Sequence, residues 1–128
     1  MIIILIGTNN LKILNDTPED IANDIKEIIN ILLNKFQLTK IILRGLLPNG
    51  KYKTSINRIQ NNKINNIICQ YANNYNIFYI DNGKEFIDAN EIIINKLLPD
   101  NIHLSEEGYN VLSKSLTPFI DNIVNINL

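Results

Sequence analysis

Aliphatic residues are arranged along this chain in two ways, as short unbroken runs and as longer stretches recurring at spacings of three and four. Ile2 to Ile6 is an unbroken, β-branched run that stops at Gly7, the pattern of a strand buried on both faces. Ile41-Ile42-Leu43 and Ile77-Phe78-Tyr79-Ile80-Asp81 predict a second and a third strand. Between the first two, Ile21, Ile25, Ile28, Leu32 and Phe36 predict a helix ending near Phe36. Thr17 is its N-cap candidate, with Pro18 at the first helical position and Glu19 and Asp20 in the first turn. A further helix is predicted from Ser55 to about Tyr75 through Ile56, Ile59, Ile64, Ile67, Ile68 and Tyr71, with Asn and Lys on its other face. The mixed stretch from Asn82 to Asn101 predicts a loop with one short helix around Glu91 to Lys96. Ser105 then caps a last helix with Tyr109, Leu112 and Leu116 facing inward, which Thr117-Pro118 kinks or restarts.

Strand, helix, strand, helix, strand, helix is the alternation of a parallel α/β sheet with right-handed crossovers. Chemistry in such sheets sits beyond the carboxyl ends of the strands. Gly7 to Asn10, Leu46 to Gly50 and Asp81 all follow strand ends and should share one rim. His103 joins them if the last loop folds back over it.

At 128 residues and 45% hydrophobic content, the chain predicts one domain over residues 1–128. Twelve Lys and Arg against thirteen Asp and Glu, with Arg at only two positions, leave no basic footprint for nucleic acid. No run reaches the roughly 18 apolar residues of a membrane span, and Met1 to Ile6 lacks the basic front and length of a signal peptide. The expectation is a soluble, cytoplasmic protein. Lone Cys69 excludes an internal disulfide and a cysteine zinc cluster, and reads as a small apolar helix residue. Asn and Ile are over-used throughout, but the Ile residues keep structural periods, so no low-complexity segment is inferred.

Candidate chemistry is confined to a few positions. Asn9 directly follows the first strand and has two side-chain N–H donors, suited to a developing oxyanion; the competing role is to cap or turn the chain after Gly7. Asp100 precedes His103 by three residues, the only histidine, so its carboxylate can fix one tautomer and leave the other nitrogen as general base. The competing role there is a solvated loop histidine beside a helix start. With no second His and no suitable Cys, a zinc or iron site is not expected. A flavodoxin-like phosphate site in the loop after Ile6 would need a glycine-rich signature that is not present.

The order of these pieces is similar to a known family. Gly7-Thr8-Asn9-Asn10 resembles the GxND block, Leu46-Leu47-Pro48-Asn49-Gly50 the LLPxG turn, and Asp100-Asn101-Ile102-His103-Leu104 with Gly108-Tyr109 the DxxHL…GY block of the SGNH, or GDSL, hydrolases. The intervals look most like those of the platelet-activating-factor acetylhydrolase catalytic subunits. The resemblance covers nearly the whole chain and implies a flavodoxin-like three-layer α/β/α sandwich. It also implies ester hydrolysis of a small acyl ester without metal or organic cofactor. His103 is then the base, Asp100 its orienting acid and Asn9 an oxyanion donor, with Gly7, Thr8, Leu46, Leu47 and Pro48 lining the substrate site. Position 10 departs from the pattern, carrying Asn where the family has Asp.

The start departs further. In the family, a serine block and a block supplying an oxyanion glycine precede the first match, and neither occurs in this sequence. Ser55, Ser105, Ser113 and Ser115 lie in or beside predicted helices, away from any sharp strand-to-helix turn that would present a nucleophile. Thr8 is nearer the rim but a poor substitute. Only the last three strands of the family's five-stranded sheet are matched, so the fold is expected to be N-terminally truncated, with Ile2 to Ile6 as a bare edge. Such an edge favours self-association or pairing with a partner chain. Two origins fit, an incomplete hydrolase that is inactive alone or a protein that has given up catalysis for sheet completion; the first needs no new selection to explain His103, Asp100 and Asn9.

Overall fold

The computed structural model describes residues 1–10 and 15–126. Strands β1 (Ile2–Ile4), β2 (Ile41–Arg44) and β3 (Ile77–Ile80) form an all-parallel sheet in the order β1-β2-β3. Its register sets Ile3 beside Ile42 and Ile42 beside Phe78. Helices α1 (Pro18–Lys35), α2 (Ile56–Ile68) and α3 (Glu106–Asn125) complete the alternation, with short 3₁₀ turns at Cys69–Tyr71 and Gly83–Phe86. Among the described residues no helix is long and apolar enough to cross a membrane.

Pleating sorts the strand residues into two cores. Ile4, Ile41 and Leu43 pack with Ile21, Ile25, Ile29, Ile64 and Ile68 of α1 and α2. Ile42 and Phe78 face the other way, onto Phe119, Ile120 and Ile123 of α3. The result is the expected three-layer sandwich.

Helix α1 begins as its sequence dictates. The Thr17 hydroxyl accepts from the Asp20 N–H at 3.1 Å, and the Asp20 carboxylate accepts from the Thr17 N–H at 3.1 Å. These reciprocal bonds satisfy donors that have no partner within the helix. The buried stripe runs Ile21, Ile25, Ile29, so the predicted positions Ile28 and Phe36 are corrected to exposed ones. Spacing by four tracks the single ridge that meets the sheet.

Several other expectations are corrected. The run Ile2 to Ile6 is not buried on both faces: Ile4 is 6% exposed, but Ile3 is 44%, Leu5 40% and Ile6 42%. Helix α3 lies over β2 and β3, and no described element covers β1 on that side. Helix α2 ends at Ile68, with Ile56, Ile59 and Cys69 exposed and Arg58, Asn61 and Asn65 buried in their stead. No helix forms at Glu91 to Lys96; the segment makes an antiparallel bridge, Ile87 with Ile93. Tyr109 faces solvent, and α3 runs unbroken through Pro118. Pro118 and Lys114, whose carbonyl loses its helical donor, both lie on the exposed face, where water can replace the bond.

At the carboxyl end of β2, Arg44 is 8% exposed and its Nε and Nη2 have no hydrogen-bond partner among the described residues. Desolvation lowers its pKa from the usual value. Removing a buried charge that is not compensated is often stabilising when the replacement fills the same volume. Arg44→Met is therefore expected to raise the unfolding free energy of this chain by about 1–3 kcal/mol, measured by urea denaturation; a loss of stability would show that the guanidinium is paired after all.

Candidate active site

Three loops meet at the carboxyl rim. The first leaves β1 through Gly7, at φ +121°, where an added Cβ would sit 2.9 Å from Ile21 Cγ2. Only glycine accepts that dihedral without strain, so the turn delivering Thr8 and Asn9 depends on it. The Asn10 N–H donates back to the Gly7 carbonyl at 3.2 Å. The Asn10 side-chain amide donates to Asp16 Oδ2 at 3.4 Å, which accounts for the departure at this position: an aspartate would place two carboxylates together.

The second loop, Leu46 to Gly50, is held by side chains of α2. Asn65 Oδ1 accepts from the Leu46 N–H at 2.7 Å and Asn65 Nδ2 donates to the Leu46 carbonyl at 2.9 Å, while Asn61 Nδ2 donates to the Leu47 carbonyl at 3.0 Å. Sequence reasoning assigned the asparagines of this helix to solvent and missed these. The available signal was the spacing of Arg58, Asn61 and Asn65, which places three polar groups on the face of Ile68.

The third loop brings the histidine back. The Gly50 N–H donates to the Asn101 carbonyl at 3.2 Å and the Ile93 N–H to the Lys51 carbonyl at 3.0 Å, tying it to the second loop. Asp100 Oδ1 accepts from the backbone N–H groups of Ile102 (3.0 Å) and His103 (2.7 Å), and Asp100 Oδ2 lies 2.6 Å from His103 Nδ1. Ser105 closes the turn, accepting from the Gly108 N–H at 3.1 Å and donating to the Lys96 carbonyl at 2.6 Å. Gly108 is required by close approach, since a Cβ there would lie 2.4 Å from the Leu97 carbonyl oxygen.

These bonds keep the Asp100 carboxylate ionised and set which ring nitrogen faces it. The His103 backbone N–H, then its ring N–H and the Ile102 N–H, hold the Asp100 carboxyl well below the usual carboxylate range. An ionised Asp100 only accepts, so Nδ1 carries the hydrogen and Nε2 is left as the basic atom. Because the folded-state pKa is depressed, the stabilisation from this turn is complete above the ordinary carboxylate range and is lost as pH falls through the folded value. The Asp100 carboxyl carbon is accordingly expected to keep its ionised ¹³C shift at about pH 3, below the ordinary Asp value of about 3.9; titration in that ordinary range would contradict the geometry.

A crevice of about 190 Å³ is lined by Leu5, Thr8, Asn9, Leu47, Pro48, Asn49, Ile102 and His103. Asn9 and His103, far apart in sequence, thus share one cavity, together with Thr8, Leu47 and Pro48. Gly7 and Leu46 do not line it; both pack inward beside Ile21 and Ile25, Leu46 at 3% exposure. They are supports of the wall and not its surface. His103 and Asp100 are largely open to solvent, with side-chain exposures of 80% and 54%. Among the described residues the crevice wall carries no serine; its one hydroxyl is that of Thr8. Ser55, Ser105 and Ser115 are engaged with Tyr52, Lys96 and Asn82 respectively. Also among the described residues, no three His, Cys, Asp or Glu side chains gather as a metal site. A larger, open depression at the amino ends of the strands is walled by Met1, Phe36 and Leu38 and holds none of this chemistry.

The parallel α/β sandwich thus brings an Asp–His pair and an asparagine amide together at the carboxyl rim of its sheet. The sequence matches the model of the GDSL-like lipase/acylhydrolase family over residues 1–111, and the chain belongs to that family. It is 30% identical over 123 residues to platelet-activating factor acetylhydrolase IB subunit alpha2 of Rattus norvegicus, covering 94% of this chain and 51% of the relative. With the alpha1 subunit of Bos taurus it is 24% identical over 117 residues, 91% of this chain and 49% of that one. Among solved structures, a GDSL-like lipase from Bacteroides thetaiotaomicron superposes with a TM-score of 0.76 at 18% identity, over 94% of this chain and 61% of the other, a likeness of fold. The chain spans about half the length of the curated relatives it matches.

Proposed function

We propose that this chain supplies the general base, its orienting acid and one oxyanion donor of a serine ester hydrolase acting on a small acyl ester, such as an acetyl group on a lipid or carbohydrate. The observation that carries this reading is the single crevice lined by both Asn9 and His103. The serine comes from sequence outside these 128 residues or from a partner chain. Its Oγ attacks the ester carbonyl carbon while His103 Nε2 takes the hydroxyl proton. The Asn9 amide donates to the carbonyl oxygen as it becomes an oxyanion. Collapse expels the alcohol, which receives the proton from His103; water, deprotonated by the same nitrogen, then releases the carboxylic acid and regenerates the serine.

A fluorophosphonate probe tests this assignment. Labelling of a serine only when a serine-bearing upstream segment is supplied, with none in the chain alone, is the expected result. Absence of labelling under every pairing would overturn it.

The bare edge of β1 favours a second reading, sheet completion with another chain. Ile3 is exposed on an edge strand with no outer partner among the described residues, and Leu5 and Ile6, which the predicted strand included but which follow its end at Ile4, are exposed beside it. At micromolar concentration the chain alone is expected to elute above its monomer mass of 14.7 kDa on a sizing column. A clean monomer would count against pairing through this edge.

A further inference from the structure

On the far side of Pro48 from His103 lies a second crevice of about 190 Å³, walled by Leu46, Pro48, Arg58, Asp81, Lys84 and Glu91 among others. The rim loop is thus a partition with a cavity on each side. Arg58 is 3% exposed, yet its hydrogen bond among the described residues is one from Nη1 to the Glu91 carbonyl, and no carboxylate there pairs with it. The two acids on the same wall are engaged elsewhere: the Glu91 carboxylate pairs with Lys53 at 3.3 Å, and Asp81 Oδ1 accepts from the Gly83 N–H at 2.8 Å. A guanidinium has five N–H donors in a planar fork that fits a carboxylate, and Arg58 commits Nη1 to the Glu91 carbonyl. Unlike Arg44, Arg58 borders a cavity into which a ligand can fit.

We propose that this rear crevice is a binding site for a small carboxylate, held by the Arg58 fork and by Lys84 at its mouth. The site is separate from the His103 crevice and does not depend on the hydrolase reading. Asp81 disfavours a second negative charge beside the first, so the site selects a monocarboxylate over a dicarboxylate.

The test is a titration of the ¹⁵N-labelled chain with sodium acetate at constant ionic strength, with sodium chloride as the matched control. Saturable movement of the Arg58 Nε–H resonance and of the Gly83 and Lys84 amides is expected with acetate and not with chloride, while malonate binds several-fold more weakly. Lys84→Gln, an exposed position, is expected to weaken acetate binding several-fold. Arg58→Lys keeps the charge but loses the fork, and is expected to weaken it by about tenfold or more. No acetate-dependent movement of Arg58, an equal response to chloride, or full affinity in Lys84→Gln would overturn the proposal. Because none of these readouts uses catalysis, failure here leaves the ester-hydrolase reading untouched, and the reverse also holds.

Discussion

Replacing His103 with glutamine in the serine-complemented hydrolase is expected to lower ester turnover by about 10⁵ to 10⁶-fold, the loss found when a triad base is removed. Asp100→Asn is expected to cost about 10⁴-fold, because an amide N–H can donate to Nδ1 and hold the imidazole in the wrong tautomer, and no countercharge is left for its cation. Asn9→Ala should cost about 10² to 10³-fold, the contribution of one oxyanion donor. These three losses are not additive, since the base and its acid act as a unit. Rates of p-nitrophenyl acetate hydrolysis, with thermal unfolding recorded alongside, separate them. His103 is 80% exposed at its side chain, so no core is disturbed and folding should be unchanged. A His103→Gln variant retaining more than about a tenth of the wild-type rate would remove His103 from the mechanism.

Phe86→Ala is expected to destabilise the chain by about 3–5 kcal/mol, the usual cost of emptying a buried aromatic site. Phe86 is fully buried in a satellite core with Ile93, Leu97, Leu98 and Leu112, against which Leu47 and Leu104 also pack. Leu47 walls the crevice, and Leu104 directly follows His103. The cavity therefore opens between the two loops that wall the crevice of Asn9 and His103. For a chain of this length the midpoint should fall by about 10–20 °C, and the crosslink from Gly50 to Asn101 should lose protection in hydrogen exchange. A shift of only a few degrees would mean that this cluster collapses easily and does not set the position of the third loop.

The parts read correctly from the sequence are those where one local rule suffices. Strands β2 and β3 sit where unbroken aliphatic runs predicted them, and Thr17-Pro18-Glu19-Asp20 opens α1 as its capping chemistry requires. The blocks around Asn9 and His103 were visible as residue types in order, the parallel α/β sheet followed from alternation, and the three layers followed from the family resemblance. Neighbour identity was not visible. The period of β1 could not reveal that α3 leaves Ile3 uncovered, because coverage depends on the placement of a helix about a hundred residues away. Nor could polarity reveal that Asn61 and Asn65 turn inward, since buried amides and solvated ones spell the same letters. Phe86 was hidden for a related reason: a four-residue 3₁₀ turn is too short to show a period.

The amide clamp of α2 on the Leu46–Leu47 backbone has an evolutionary corollary. Each bond from Asn61 or Asn65 satisfies a main-chain group, and main-chain groups are indifferent to which side chain the loop carries. Leu47, half-buried at the crevice wall, can therefore change among apolar residues while the helix amides stay fixed. Divergent descendants of this chain should therefore vary at 47 long before they lose the amide at 65.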